Sequence, residues 1–362
     1  MSRPKKSTKK PTTSRRKSSW RGFWVISTLL VLTLLVGSMA WLQMPMGFKS
    51  SGGSSPNSNG PEVLDLTIEP GTSPKGVAQA ISEAGADVSP SLLWLWFRAS
   101  GQARAIKAGS YEITPEMSPK TVLNMLARGE ETLRSITLVE GWTFKQFRQA
   151  LGKADNLKLT TQALSDQDIM AQLGRPELHP EGRFYPDTYT YAKGATDISV
   201  MKRALKSMDQ HVNQIWTQQR SRTVLKNSEE LLILASIVEK ETGKASDRPM
   251  ISAVFHNRLK IGMRLQTDPT VIYGMGSTFD GNLRKADLKN DTPYNTYTRA
   301  GLPPTPIAMP GKAAMLAALM PASSSALYFV ARGDGSSHFS QSLNEHNQAV
   351  NKFQRGMAAQ GQ

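Results

Sequence analysis

Cysteine is absent from this 362-residue chain. That excludes a disulfide scaffold, a thiolate metal site, a cysteine nucleophile and a lipidated N-terminal cysteine. No GxxxxGK[ST] or GxGxxG phosphate loop occurs, no GxSxG elbow and no HExxH helix, so nucleotide-dependent, α/β-hydrolase and zincin chemistry lack their usual signatures. Acid is missing from the start of the chain. No Asp or Glu precedes Glu62, whereas residues 1–21 hold nine cations: Arg3, Lys5, Lys6, Lys9, Lys10, Arg15, Arg16, Lys17 and Arg21. Without them the formal excess falls from +15 to +6. The basic character is therefore a tail effect, and no nucleic-acid partner is expected.

What is present begins with a long apolar run. Phe23–Leu42 is uncharged and mostly apolar, enough to cross ~30 Å of hydrocarbon as a helix. Trp20, Trp24 and Trp41 lie near its ends, where indoles favour the interface. The cations on its N-terminal side put the tail in the cytoplasm and residues 43–362 outside, as a single-pass membrane protein. A cleaved signal peptide, with Ser38-Met39-Ala40 as a small-x-small site, is the competing reading, but the run exceeds a typical ~7–15-residue h-region.

The expected organisation is a basic cytoplasmic tail (1–22), a transmembrane helix (23–42), a flexible Gly/Ser/Pro/Asn linker (43–61), a small strand/helix region (62–134) and a larger mixed domain (135–355). An irregular repeat supports the fourth segment. LTIEPGTSPKGVAQAISEAG (66–85) matches SYEITPEMSPKTVLNMLARG (110–129), with Ser-Pro-Lys aligned, and SITLVEGWTFKQFRQALG (135–152) is a looser third copy. Each copy reads as a strand, a turn, then a Ser or Thr capping an amphipathic helix. Such units resemble LysM-like glycan-binding modules; a spacer that binds nothing is the plain alternative. The larger domain mixes helices with short strands: helices over 254–262, from Lys312 and from Leu343, a strand over 326–331, and a strand and turn over 263–274. This predicts α+β rather than a doubly wound sheet.

The stretch LLILASIVEKETG (231–243) is a helix apolar on nearly all sides that then carries Glu239 and Glu241. Asn227 and Glu230 read as its capping box. At 100° per residue Glu241 follows Leu234, Ile237 and Val238, surroundings that favour its protonated form, while Glu239 points nearly opposite. A carboxyl kept protonated near neutral pH can serve as a general acid. The plain alternative pairs both acids with Lys240, Lys244 or Arg248. A glycosidase would need a second carboxylate at ~5–10 Å, and Asp187, Asp268, Asp280 and Asp287 are candidates. His338 and His346, eight apart, have no metal-site spacing around them, so no metal and no cofactor is expected.

SIVEKET (236–242), VFHNRLKIGMRLQTDPTVIYG (254–274), YNTYTRAGLPPTPI (294–307) and LYFVARGDGSSHF…EHN (327–347) resemble the MltG (YceG-like) endolytic murein transglycosylases. The resemblance implies one transmembrane helix in the cytoplasmic (inner) membrane, a LysM-like region and a YceG-like catalytic domain on the periplasmic side. It puts the catalytic acid on the second glutamate of the E-K-E-T motif, Glu241. The reaction it implies is non-hydrolytic cleavage of the MurNAc–GlcNAc β-1,4 bond of peptidoglycan glycan strands, with formation of a 1,6-anhydro ring. From the matching blocks, Asn257, Gln266, Asp268, Tyr294, Asn295 and Thr298 are the expected substrate contacts, with Glu181 and Asp187 supporting the site from behind. Peptidoglycan synthases are candidate protein partners. Departures are Thr305-Pro306 where the family often has Gly-Pro, and Met309 for a commoner Thr. A non-catalytic wall-binding scaffold and a true hydrolase remain the competing readings.

Overall fold

The computed structural model describes residues 19–49, 63–218, 223–242 and 244–355. The tail over 1–18 and most of the expected linker lie outside the described residues. The chain divides into two compact units, Met1–Thr132 and Leu133–Gln362.

The first unit opens with α1 (Ser19–Gln43), whose segment Phe23–Gln43 is long and apolar enough to cross a membrane. Then follow β1 (Leu64–Ile68), α2 (Pro74–Glu83), α3 (Pro90–Ala99), β2 (Gly109–Ile113) and α4 (Pro119–Arg128). The first two repeat copies are thus β1 with α2 and β2 with α4. Their strands pair antiparallel, Leu64 opposite Ile113 and Ile68 opposite Gly109. Ser73 accepts from the Gly76 amide and Ser118 from the Thr121 amide, while Pro74 and Pro119 occupy the first helical turn, where no amide hydrogen is needed. Alternate strand residues Leu66, Ile68, Tyr111 and Ile113 meet Val77, Ile81, Val122 and Leu126 in one core. The first residues of the expected linker pack against this core instead. Met46 is buried, its amide donates to Met117 O at 2.9 Å, and Phe48 bridges to Ala86. Two large apolar side chains in a Gly-rich context gain more from burial than the chain loses in entropy.

In the second unit β3 (Leu133–Thr137) pairs antiparallel with β4 (Thr188–Ala192), around α5 (Phe144–Gly152), α6 (Asp166–Gln172) and α7 (Asp197–Gln218). The third repeat copy is β3 with α5, and Thr143 and Gln146 close a reciprocal capping box there. Phe144, Phe147 and Phe184 stack at its centre. The chain continues through α8 (Ser228–Glu241), α9 (Arg248–Lys260), α10 (Asp268–Met275), α11 (Lys312–Leu319), a β5 (Tyr328–Ala331) and β6 (Ser337–Ser340) hairpin, and α12 (Leu343–Val350). The whole is α+β, with separate two-stranded sheets among the described residues.

Helix α8 buries every residue from Leu231 to Val238 against α7, α9, α10 and α11. At ~1.5–3 kcal/mol for each large side chain, this helix is the centre of the unit. Two expectations are corrected. Residues 263–274 form a loop and α10, not a strand: Thr267 takes the N-cap position and Pro269 the first turn, a start signal that outweighs the β-branched Val271-Ile272 pair. Asn227 caps α8 through the Glu230 amide at 2.9 Å, but Glu230 returns its carboxylate to the Lys226 amide instead of closing the box.

Candidate active site

The two acids at the end of α8 meet different partners. Glu239 is buried and fully engaged: Oε1 accepts from Arg248 Nη2 at 3.1 Å and Oε2 from the Gly311 amide at 2.9 Å. Gly311 has no side chain to spare, because a Cβ there would overlap the Glu140 carboxyl. Burial and the charge of Glu239 push the Glu140 carboxyl up, and Arg248 pulls it back. Arg248 therefore anchors an acidic corner, and the plain alternative holds for Glu239.

Glu241 is the last residue of α8. Its partner is a neutral hydroxyl, Thr267 Oγ1, which donates to Oε1. Burial of the carboxyl pushes its pKa up to about 7; the Thr267 bond and the Arg258 charge lower it, while the Asp268 charge raises it. Thr267 is itself buried and held. Its amide donates to Thr296 Oγ1 at 3.0 Å, its carbonyl accepts from Thr270 Oγ1 at 2.8 Å, and Thr270 meets Thr296 at 2.9 Å. Three packed hydroxyls thus fix the group that hydrogen-bonds Glu241. Gln266 just before them has φ +48°, a left-handed backbone that costs a non-glycine residue about 1 kcal/mol or more. Its amide donates to Thr296 O at 3.1 Å.

Charge and aromatic groups close the surroundings. Arg258 is buried, with Nε on Leu327 O at 2.7 Å, Nη1 on Leu265 O at 2.5 Å, and the Tyr328 ring 5.4 Å away. Tyr297 donates its phenol to Asp268 Oδ1 at 2.5 Å; burial and the Asp268 bond raise that phenol's pKa, so it remains a donor. Asp268 and Gln266 are exposed at this face.

The expected substrate contacts divide. Gln266, Asp268 and Tyr294 present accessible surface, the last with its hydroxyl on Thr305 Oγ1 at 2.8 Å. Asn257 donates to Ser324 O and Ala326 O, and the fully buried Asn295 donates to Leu288 O and Asn290 O while accepting from the Tyr297 amide. Thr298 donates to Asp291 at 2.6 Å, beside the Arg299–Asp291 pair. These three side chains spend their capacity on loops, because buried amides must satisfy backbone carbonyls that regular structure leaves open. Thr267, Tyr297 and Arg258 were not singled out from sequence. Reading 263–274 as a strand concealed Thr267, whose place before Asp268-Pro269 is itself a helix-start signal.

Of the candidate second carboxylates, Asp268 acts on Glu241. Asp280 pairs with Arg284, Asp287 accepts from the Arg284 amide, and Asp187 is exposed and accepts from the Thr188 amide. Glu181 is buried, accepts from the Phe144 amide at 3.0 Å and hydrogen-bonds Tyr273 of α10; burial pushes its pKa to about 7. His338 contacts Arg332 Nη2 at 3.2 Å, and His346 stacks on Tyr328.

Comparison with known proteins places this arrangement. The model of the YceG-like family matches residues 66–352. An endolytic murein transglycosylase of Bacillus subtilis (strain 168) is 32% identical over 311 residues, covering 80% of this chain and 85% of its own. One of Streptococcus pneumoniae serotype 2 is 27% identical over 328 residues, and the chain spans 59% of that relative's length. A crystal structure of a YceG-like protein from Listeria monocytogenes superposes with a TM-score of 0.51 at 29% identity, covering 80% of this chain and 99% of that one.

Proposed function

The chain belongs to the YceG-like family, and from that premise we propose that it is a membrane-anchored lytic transglycosylase acting on peptidoglycan with Glu241 as its acid and base. The observation that carries the reading is a carboxyl at the end of a buried helix, bonded to a neutral hydroxyl and held near a pKa of about 7. A group poised there can give and take a proton at the same pH. Protonated Glu241 donates to the bridging oxygen as the bond from MurNAc C1 to that oxygen breaks. The carboxylate then removes the proton from the C6 hydroxyl, whose oxygen bonds to C1. The nucleophile belongs to the substrate, so the two steps need only one tuned carboxyl from the protein.

Gln266, Asp268 and Tyr294 are proposed to contact the glycan, joined by Tyr297, whose phenol donates to Asp268 and feels the charge of Glu241. The order β1-α2-α3-β2 in the first unit supports a LysM-like glycan-binding role for 62–134. Helix α1 is proposed to cross the inner membrane with the cations of 1–21 on the cytoplasmic side. Peptidoglycan synthases fit as neighbours of an enzyme that terminates or trims nascent strands.

The test is product analysis of purified glycan by mass spectrometry. Anhydro ends are expected from the wild type and none from Glu241→Gln. Undiminished anhydro product from that variant sinks the assignment. Reducing ends would instead mean hydrolysis, with Asp268 as the carboxylate placed to activate water.

A further inference from the structure

Helix α3 carries an apolar face that the first unit leaves uncovered. Leu93 and Phe97 point into the core and are fully buried. At 100° per residue Leu92, Leu95 and Ala99 lie on the other side, while Trp96 sits on the flank, packed against the core with its indole nitrogen buried. Leu92 is 53% and Leu95 56% exposed, Ala99 is exposed and Trp96 half-buried. Outside α1, no other pair of exposed large hydrophobic residues shares a helix among the described residues. Along the chain the charge beside them has one sign, and an acid near them in space is Glu83 of α2, which lines a cavity with Pro90, Ser91 and Trp94. Between Asp87 and Glu112 there is no acid, while Arg98, Arg104 and Lys107 are all exposed.

The position of this face is tied to α1. Trp41 at the end of α1, Met46 and Phe48 pack into the same core as Leu93 and Phe97. The Gly47 amide donates to Pro115 O at 3.2 Å, the Asp87 amide to Gly47 O at 3.2 Å and the Lys49 amide to Gly85 O at 2.8 Å. Lys49 then lines one cavity with Pro90, Ser91 and Trp94 of the α3 first turn. Five residues separate Gln43 from Lys49, at most about 20 Å of chain over the six steps. The chain leaving α1 therefore delivers the start of α3 close to the end of the span.

We propose that α3 is an interfacial helix, lying in the surface of the bilayer that α1 crosses, with Leu92 and Leu95 at the acyl boundary and Arg98 and Arg104 on anionic headgroups. This rests on the reading of α1 as a transmembrane anchor. An apolar face beside exposed cations is the composition that holds a helix in the interface plane. A second attachment point would stop the first unit from turning freely about α1.

The absence of cysteine makes the test direct. Full-length protein is labelled with a nitroxide at Leu92→Cys, Leu95→Cys, Leu32→Cys and Gln167→Cys, one at a time, in nanodiscs of zwitterionic and anionic phospholipid. Collision with oxygen and with a water-soluble nickel chelate is then measured. The expected result is loss of nickel accessibility with gain of oxygen accessibility at 92, 95 and 32, and the reverse at 167, an exposed position in α6. Lipid-like behaviour at 32 with aqueous behaviour at 92 and 95 overturns the proposal and leaves the anchor standing. Aqueous behaviour at 32 overturns both. Protection from both collision partners at 92 and 95 means a protein covers the face, and also overturns it.

Discussion

Replacing Glu241 by Gln should abolish cleavage and, above neutral pH, stabilise the fold. Burial raises the Glu241 pKa from 4.5 to about 7. Between those values the folded state binds the proton and the unfolded state has released it, so the carboxyl's contribution falls as pH rises through 4.5 to 7 and is flat outside that window. With one pKa unit worth 1.36 kcal/mol, the loss between pH 5 and pH 8 is about 2–3 kcal/mol. Gln cannot ionise and keeps an oxygen for the Thr267 hydroxyl, so any fixed cost of the amide is the same at both pH values. Glu181, with a pKa of about 7, titrates in both proteins and cancels in the difference. The assay is equilibrium guanidinium unfolding of wild type and Glu241→Gln at pH 5 and pH 8, followed by the fluorescence of Trp142 and Trp216. The variant's stability relative to wild type should rise by about 2–3 kcal/mol from the lower to the higher pH. A difference that stays constant with pH would mean that Glu241 titrates as an ordinary carboxyl, and the general-acid reasoning would fall with it.

Two neighbours should tune the same group in opposite directions. Thr267→Val removes a bond to the ionised form and should move the alkaline limb of the pH–activity profile up by roughly 0.5–1 unit, the size of one hydrogen bond; Asp268→Asn removes a like charge and should move it down. Arg248→Met leaves Glu239 buried beside Glu140 without its cation and should cost about 3–5 kcal/mol in unfolding measurements. Glu239→Gln should leave the position of the alkaline limb unchanged, and an inactive but folded variant would reverse the roles given to the two acids. Gly182 has φ +76°, and a Cβ there would enter the Pro306 ring and come within 3.2 Å of Ala308 O; Gly182→Ala should therefore lower stability by about 2–5 kcal/mol, combining backbone strain with overpacking.

What could be read from the chain alone depended on how local its cause is. The caps at Ser73, Ser118 and Thr143 were legible because a hydroxyl three residues before an amide is a local fact. Helix α8 was legible because seven apolar residues among the eight from Leu231 to Val238 can only be buried. Helix α10 was misread because Val271 and Ile272 suggest a strand, whereas burial of Thr270 and Val271 against the rest of the unit comes from contacts distant in sequence. Asn257 and Asn295 look like ligand contacts in a sequence, since an amide suits a sugar as well as a carbonyl. Their partners at Ser324, Ala326 and Asn290 are set only by tertiary packing.

Glu239 and Glu241 share one helix end, one composition and one stretch of apolar neighbours, yet they differ in chemistry. The cause is the 200° turn between them, which sends Glu239 toward Arg248 and the Gly311 amide, and Glu241 toward Thr267. A buried carboxylate with a cation and an amide has its ionic form stabilised from both sides. One whose partner is a neutral hydroxyl, with Asp268 nearby, has less to offset desolvation. The same burial that makes α8 the centre of the unit therefore yields an ion-paired carboxylate at one position and, two residues on, a carboxyl whose pKa is pushed up to about 7.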